Sequence, residues 1–590
     1  MVRQGLVEFP GDVRLRQLQG LALARSGASE RASAILAELV RQGHADTETL
    51  GMLARTYKDR AAHARGRGER KKFLRRAAAT YAQAHRMNGD YWTGINAATT
   101  ALLIGEKTRA LAVANKVRAA CLRELRRVSG DRYWLLATLG EAALIARDWP
   151  AANDWYAQAA RVAGRRFGDL QASRRNARLL LDFWRADPVI VEKHLRVPPI
   201  AIFAGHMIDR PKRSAPRFPA RDEKKVAELI RQCIARLGAA IAYASAACGS
   251  DILFLEAVLA AGGEIFVVLP CAPEHFIETS VIGENGVGWR RRFKRVLEKA
   301  TRVIIASRER LVLDGVTYDY TNQMILGLAC IRAGQLNTEL TAIAVWDQMP
   351  GDGPGGTASA IERWRKLGLP IEMIDLSALH GRNRHSKKCA PRLTSRRTAQ
   401  KFAAQIRAIL FADAVGFTRL SEAELPVFVT EFMGEVGRLV RQWEREIITR
   451  NTWGDRIYLV FRSVEAAGNF ALDLGEMVTR TDWAERGLPA WSNFRIAVHA
   501  GPVYSCLEPI KRVREFFGAH VSRTARIEPI APPGQVYASE AFAALAAAQR
   551  VTDFSFEYAG QVPMAKGYGI YPMYHVTRRR ARPARTRPRS

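Results

Sequence analysis

The chain has 590 residues, enough for several domains with sizeable cores. Its apolar and charged fractions are ordinary for globular protein, but its net charge is +32. A basic surface raises general affinity for nucleic acid, acidic membranes and nucleotides. No basic–aromatic motif sharpens that into a nucleic-acid reader, so nucleic acid is disfavoured as a partner. The seven cysteines lie far apart without a C-x-x-C pair, which argues against a zinc site or a disulfide framework and fits a reducing, cytoplasmic setting. Met1-Val-Arg-Gln-Gly lacks the apolar run of a signal peptide. No uncharged apolar run of about 18 residues occurs, so no membrane span is expected.

Residues 1–195 are dense in Ala, Leu and Arg at helical spacing. Three segments, beginning at Leu23, Leu103 and Leu144, share one pattern: an apolar helix end, a short polar turn, then an Ala-led helix. Their turns, near Gly27, Gly105 and Arg147, lie 78 and 42 residues apart. That spacing predicts tetratricopeptide-like helical repeats of about 40 residues stacked on one continuous core. The run from Lys58 to Arg76 reads as a solvated helix face. Tyr91-Trp-Thr-Gly-Ile-Asn-Ala-Ala-Thr99 and its surroundings resemble the helical TRAF-binding region of some MAP kinase kinase kinases. The resemblance implies a module with a protein partner; a helical domain without an external partner stays open beside it.

Residues 196–380 alternate strand and helix. Apolar runs at 200–206, 239–244, 264–270, 302–306 and 340–345 read as buried strands. Helical patterns separate them at 222–237, 250–261, 289–299 and 318–333. The expectation is an α/β domain with a doubly wound parallel sheet, whose ligands bind at the C-terminal strand ends. Ala244-Ser-Ala-Ala-Cys-Gly249-Ser-Asp-Ile-Leu-Phe-Leu-Glu256 places a small Gly-containing loop against a helix start. It resembles the ligand loop of SLOG-type Rossmannoid domains. By that resemblance Gly205, Gly249, Ser250, Asp251 and Glu256 are candidates for contacts to a nucleotide-derived ligand. Read without it, Gly249 permits the turn and Asp251 caps the helix; sensing, catalysis and scaffolding all remain open. The segment Gly351–Gly356 lacks the G-K-[ST] ending of a P-loop and receives no phosphate role. Residues 381–402 are basic, polar and aperiodic, as in a linker.

Residues 403–577 open on Arg407-Ala-Ile-Leu-Phe-Ala-Asp413-Ala-Val-Gly-Phe-Thr-Arg-Leu-Ser-Glu422. It reads as an apolar strand ending on a carboxylate, a Gly-containing turn whose free N–H groups suit an anion, then a helix start. The stretch 446–461 has a hairpin pattern, with Gly454-Asp455 in its turn. Helices over 420–444 and 463–480 and a strand at 494–503 follow. Phe517-Gly-Ala-His-Val-Ser-Arg-Thr-Ala-Arg526-Ile-Glu-Pro-Ile530, a segment at 534–539 and a closing stretch at 564–576 complete an α+β pattern.

These motifs, in this order, resemble the class III adenylate/guanylate cyclase catalytic domain, an α+β, ferredoxin-like fold. The resemblance implies that Asp413 and Asp455 bind two Mg²⁺ or Mn²⁺ ions per site. It also implies that the backbone from Ala414 through Val415, Gly416 and Phe417 to Thr418 cradles the triphosphate. Arg526 would stabilise charge at the α-phosphate and Lys566 would contact the terminal phosphates. The substrate would be ATP or GTP, and homodimerisation is implied because family sites draw on two domains. Three positions depart from the family pattern. Asn451 and Glu515 stand where the base-reading residues are expected, and Ser522 replaces the Asn that orients ribose or the attacking hydroxyl. An active cyclase with unusual base recognition and a nucleotide-binding homologue of poor turnover both fit. Residues 578–590, rich in arginine, read as a disordered tail.

Overall fold

The computed structural model describes residues 2–579, apart from 26, 65, 128–129, 211–212, 214–215, 282–285, 308–313, 352–354 and 380–402. The linker at 381–402 and residues 580–590 of the expected tail lie outside the described residues. The chain divides into one compact unit over residues 1–197 and another carrying almost all of 198–579.

The first unit is a succession of helices, among them Val13–Arg25, Ser29–Arg41, Thr47–Ala62, Arg67–Asn88, Tyr91–Leu103, Lys107–Leu125, Tyr133–Ala146, Trp149–Ala163 and Phe167–Trp184. The three turns that motivated a repeat share one geometry. Gly27, Gly105 and Arg147 each have positive φ. The following residue donates its N–H five residues back: Ala28 to Leu23, Glu106 to Ala101, Asp148 to Ala143, each at 2.9 Å. This closes the helix C-terminus and sends the chain back antiparallel. Gly140 lets two helices approach, because a Cβ there would stand 2.8 Å from the Tyr156 ring.

The expected solvated face holds at Arg67, Arg70, Lys71, Lys72, Arg75 and Arg76, which are exposed, and fails at Lys58. Lys58 is not on a solvated face; it is buried beneath Asn96 and Asn176, which accept from its ammonium at 2.6 and 3.2 Å. Burial lowers its pKa to about 8, against the attraction of the buried Glu141. Glu141 in turn accepts from Thr99 and Asn176. The composition of the run pointed outward, and the partners that draw Lys58 inward are distant in sequence.

The second unit holds two sheets. In the first, β1 (Ile200–Gly205), β2 (Ile241–Ala244), β3 (Glu264–Leu269), β4 (Arg302–Ile305), β5 (Leu340–Trp346) and β6 (Ile371–Asp375) pair in parallel in the order β4-β3-β2-β1-β5-β6. The order reverses between β1 and β5, so the sheet is doubly wound with its switch point at their C-terminal ends. The edge strand β6 was not anticipated. Helices Glu223–Leu237, Ser250–Ala260, Gly286–Lys299, Asp314–Leu336 and Thr357–Lys366 connect the strands.

The second sheet contains β7 (Ala403–Ala414), β8 (Ile447–Trp453), β9 (Arg456–Phe461), β10 (Phe494–Leu507), β11 (Arg514–Phe517), β12 (Val536–Ser539), β13 (Phe554–Pro563) and β14 (Ile570–Arg578). Its order is β13-β14-β12-β10-β7-β9-β8, with β11 on β10. Only β10 and β12 run parallel among the registered pairs; β7, β9 and β8 are antiparallel neighbours. The mixed sheet and its helices form an α+β domain. Arg578, expected in the tail, belongs instead to β14 and pairs with Asp473 and Glu476, and the Arg579 N–H donates to the Asp553 carbonyl at 2.8 Å.

Candidate active site

β7 and β10 form the buried centre of the sheet, and β7 delivers Asp413 at its C-terminal end. The apolar run before it is buried, while Asp413 lies where the strand surfaces. The β8–β9 hairpin turns at Gly454, with φ +64°, and places Asp455 beside it. The Asp455 carbonyl accepts from the Ala414 N–H at 3.2 Å, which ties the hairpin turn to the end of β7. Burial raises the Asp455 carboxyl, and the charge of Asp413 raises it further. Two like charges side by side suit a cation: each would ionise more readily with a positive charge between them.

Two further groups complete this corner. Arg456 faces Asp413 across the β7–β9 register, and its Nε donates to Asp413 Oδ1 at 3.1 Å. Glu528 is buried, with its Oε2 3.8 Å from the Arg456 guanidinium and its Oε1 without a hydrogen-bond partner. Burial and the charge of Asp413 push Glu528 up to about 7. Sequence reasoning missed both residues. Glu528 was visible two positions after Arg526, whereas the approach of Arg456 depends on strand register.

The turn after Asp413 is shaped by Gly416, whose φ is +73°. A Cβ there would lie 2.5 Å from the Trp491 ring, against which the Arg419 guanidinium also stacks at 4.4 Å. Ala414 and Val415 have already spent their N–H groups, on Asp455 and on Asn493. Gly416, Phe417 and Thr418 are the remaining part of the expected phosphate cradle, and a 3₁₀ turn over Phe417–Arg419 follows the glycine.

Asn451 on β8 and Glu515 on β11 are neighbours: Asn451 Nδ2 donates to Glu515 Oε1 at 3.4 Å. Burial raises the Glu515 carboxyl above its ordinary range. Ser522 and Arg526 stand one turn apart on the helix Ala519–Ile527, on the face opposite its buried residues His520, Arg523, Thr524 and Ile527. His520 packs against Gly501 and stacks on His499 of β10, with a ring nitrogen of each within 2.8 Å. Lys566 is exposed at the β13–β14 hairpin, with φ +58°. The structure thus joins Asp413 with Asp455, Asn451 with Glu515, and Ser522 with Arg526, and sets Lys566 on a separate hairpin.

The residues present fit a divalent cation. Asp is the hard oxygen donor that Mg²⁺ and Mn²⁺ prefer. Among the described residues no cluster of three or more His, Cys, Asp or Glu has metal-ligand geometry. A two-carboxylate site is what Mg²⁺ uses when water and substrate phosphates supply the other ligands.

In the other sheet, Gly205, Gly249, Ser250 and Asp251 converge at the switch point. Gly249 has φ +97°, and a Cβ there would strike the Ile208 backbone nitrogen. Ser250 is fully buried and donates to the His206 carbonyl at 2.6 Å. Asp251 accepts from the N–H groups of Ala247 and Gly205, and burial pushes it up to about 7. Glu256 is drawn away into a pair with Arg292 and Arg295. At the ends of β1 and β5, Asp347 accepts from His206 at 2.9 Å and from Arg217 at 2.8 Å. Burial works against the charge of Asp347, but those hydrogen bonds overcome it and hold the carboxyl well below its usual range.

Residues 401–578 match the model of the Adenylate and Guanylate cyclase catalytic domain, and residues 2–102 match the Tetratricopeptide Repeats-Sensor model. Similar solved structures include the guanylate cyclase domain of RhGC from Catenaria anguillulae in complex with GTP. It has 22% identity, covers 30% of this chain and 100% of that one, and gives a TM-score of 0.27. The adenylyl cyclase CyaB from P. aeruginosa has 16% identity, covering 31% and 98%, with a TM-score of 0.27. A non-canonical dimeric guanylyl cyclase domain of the RhoGC fusion protein from the aquatic fungus Blastocladiella emersonii has 20% identity, covering 30% and 99%, with a TM-score of 0.26. No curated protein matches the chain. By the family model, residues 401–578 are a class III adenylate and guanylate cyclase catalytic domain, and residues 2–102 match the Tetratricopeptide Repeats-Sensor model.

Proposed function

We propose that the chain converts ATP or GTP to the 3′,5′-cyclic monophosphate and pyrophosphate, in a homodimer of the 401–578 domain. The observation that carries this is the corner formed by Asp413 and Asp455, which the Ala414–Asp455 backbone hydrogen bond holds together. Two Mg²⁺ or Mn²⁺ ions, bound by these carboxylates, would lower the pKa of the attacking hydroxyl and neutralise the leaving pyrophosphate. The N–H groups of Gly416, Phe417 and Thr418 bind the phosphate chain at the turn. Arg526 meets the charge that grows at the α-phosphate, and Lys566 that of the departing phosphates. Ser522, one turn from Arg526, replaces an amide with a hydroxyl and offers one donor to the ribose instead of two. Glu515 accepts from the exocyclic amine of the purine, oriented by Asn451.

In this proposal the helical unit serves as an interaction module, and the parallel-sheet domain senses a nucleotide-derived ligand. Support for a coupling comes from the helix Asp314–Leu336, whose Tyr320 donates to the Ala500 carbonyl of β10 at 3.1 Å. A second function is favoured by the Arg456–Asp413 pair and the closed Asn451–Glu515 contact: a homologue that binds nucleotide and turns it over poorly. One assay separates them. The full chain with Mn²⁺ and either ATP or GTP is compared with Asp413→Ala and Asp455→Ala. Cyclic product lost in both variants supports the enzyme, whereas nucleotide binding without product supports the scaffold. Among the described residues no helix is long and apolar enough to cross a membrane.

A further inference from the structure

A cavity of about 330 Å³ lies between β4 of the parallel sheet and the back of the catalytic helix Ala519–Ile527. Arg302, Arg523, Glu540, Met564, Ile570 and Tyr571 contribute to its wall. Ser522, Arg526 and Lys566 do not, so it is distinct from the phosphate-binding face of that helix.

Its charges do not balance. Glu540, at the start of the helix Glu540–Ala548, receives two hydrogen bonds from Arg302, at 2.6 and 2.7 Å, and that pair is neutral. Arg523 is only 9% exposed. Its Nε has no hydrogen-bond partner, and no carboxylate pairs with it among the described residues. The Tyr571 ring lies 5.3 Å from the guanidinium carbon. Arginine cannot shed its proton to escape burial. An uncompensated guanidinium in a protein interior is strongly unfavourable, and interiors supply a counter-charge or a ligand where one persists. The carboxylate of the wall, Glu540, is taken up by Arg302, and the neighbouring His520, held down to about 3 by burial and the Arg523 charge, stays neutral and supplies no counter-charge.

We propose that this cavity binds a small organic anion: a phosphate or carboxylate head on Arg523, with an apolar body against Met564, Ile570 and Pro572. The volume lies at the small end of the range that ligand pockets occupy, which limits the body to about one ring. The ligand would touch Arg302 and Ile304 of one domain and Arg523 and Met564 of the other, and so bridge the sensor-like sheet to the helix that carries Arg526. This binding does not depend on turnover.

The test is thermal unfolding of the full chain at constant ionic strength, with phenyl phosphate, with benzoate and with phenol as the neutral control. The chains compared are the wild type, Arg523→Met, Arg523→Lys and the double variant Arg526→Ala/Lys566→Ala. One of the two anions should raise the unfolding temperature saturably in the wild type and in the double variant, and which one does so identifies the head group. The apparent affinity should fall at least tenfold in Arg523→Met and less in Arg523→Lys, which keeps the charge if Arg523→Met does not fold. An equal shift in Arg523→Met refutes the site. A shift lost in the double variant places the anion on the catalytic cations and refutes it too. So does phenol acting as well as the anions, or no shift beyond chloride.

Discussion

Arg456 sets the electrostatics of the Asp413–Asp455 corner, and its removal gives the sharpest prediction. Its guanidinium donates to Asp413 at 3.1 Å and lies 3.8 Å from Glu528, so part of the negative potential that a metal would use is already neutralised. A unit charge about 4 Å from another is worth about 1 kcal/mol in water and about 4 kcal/mol near a protein surface. The Arg456 side chain is 46% exposed, which places the pair toward the screened end, at about 1 kcal/mol. Arg456→Ala should therefore tighten Mn²⁺ binding roughly fivefold, since about 1.4 kcal/mol is tenfold. Electron paramagnetic resonance of free Mn²⁺, titrated with the full chain without nucleotide, measures this directly. The gain should shrink in high salt, because an exposed pair is screened. Unchanged or weaker Mn²⁺ binding in Arg456→Ala would refute the argument and mean that Arg456 holds Asp413 in its binding geometry instead.

Glu528→Gln removes a carboxyl that is raised to about 7 in the folded chain from 4.5. The folded state holds the proton more tightly, so the stabilisation is complete below pH 4.5 and is lost as pH rises through 7. The wild-type unfolding temperature should accordingly fall across that window more steeply than that of Glu528→Gln. Glu515→Ala should raise KM for the preferred purine nucleotide about tenfold and narrow the ATP/GTP ratio, read by steady-state kinetics with both substrates. Gly327→Val should lower the unfolding temperature by several degrees, because a Cβ at Gly327 overlaps the Ala544 backbone where two helices cross. In the helical unit, Lys58→Met strands the buried Glu141; it should cost about 3 kcal/mol in denaturant unfolding, with most of that recovered by adding Glu141→Gln.

How far the sequence could be read depends on whether a feature is local. Strands β1 to β5 were legible because a parallel sheet covered on both faces demands unbroken apolar runs such as Ile200–Gly205. Strand β6, Ile371–Asp375, lies at an edge and carries Glu372 and Asp375 among three apolar residues, so no unbroken apolar run marks it. The repeat turns at Gly27, Gly105 and Arg147 were legible because each closes its own helix through bonds five residues long. Lys58 was misread because Asn96 and Asn176 lie 38 and 118 residues away. The corner at Asp413 and Asp455 could be seen as two acids on strand ends. Arg456 as its occupant could not, since that follows from the pairing of Asp413 with Arg456 across β7 and β9.

The helix Asp314–Leu336 shows why the two sheets of the second unit should be treated as one mechanical piece. It packs on β1 and β2 of the parallel sheet and, through Gly327, against the Ala544 backbone of the helix Glu540–Ala548. Tyr320 meets His520 edge-on, with ring centroids 5.4 Å apart, and bonds to Ala500. His520 is in turn fixed by His499, which is held by Ser539 at 2.6 Å. Both histidines are buried and kept neutral, so neither gains a charge that would pry the layers apart in ordinary conditions. Close-packed contacts of this kind shift between discrete arrangements rather than yield gradually. Under the proposed function, a ligand of the parallel sheet would act at the helix Ala519–Ile527 by moving Asp314–Leu336 as a whole or by filling the cavity beside it. The second route would place the ligand on Arg523, which stands three residues before Arg526 on the same helix.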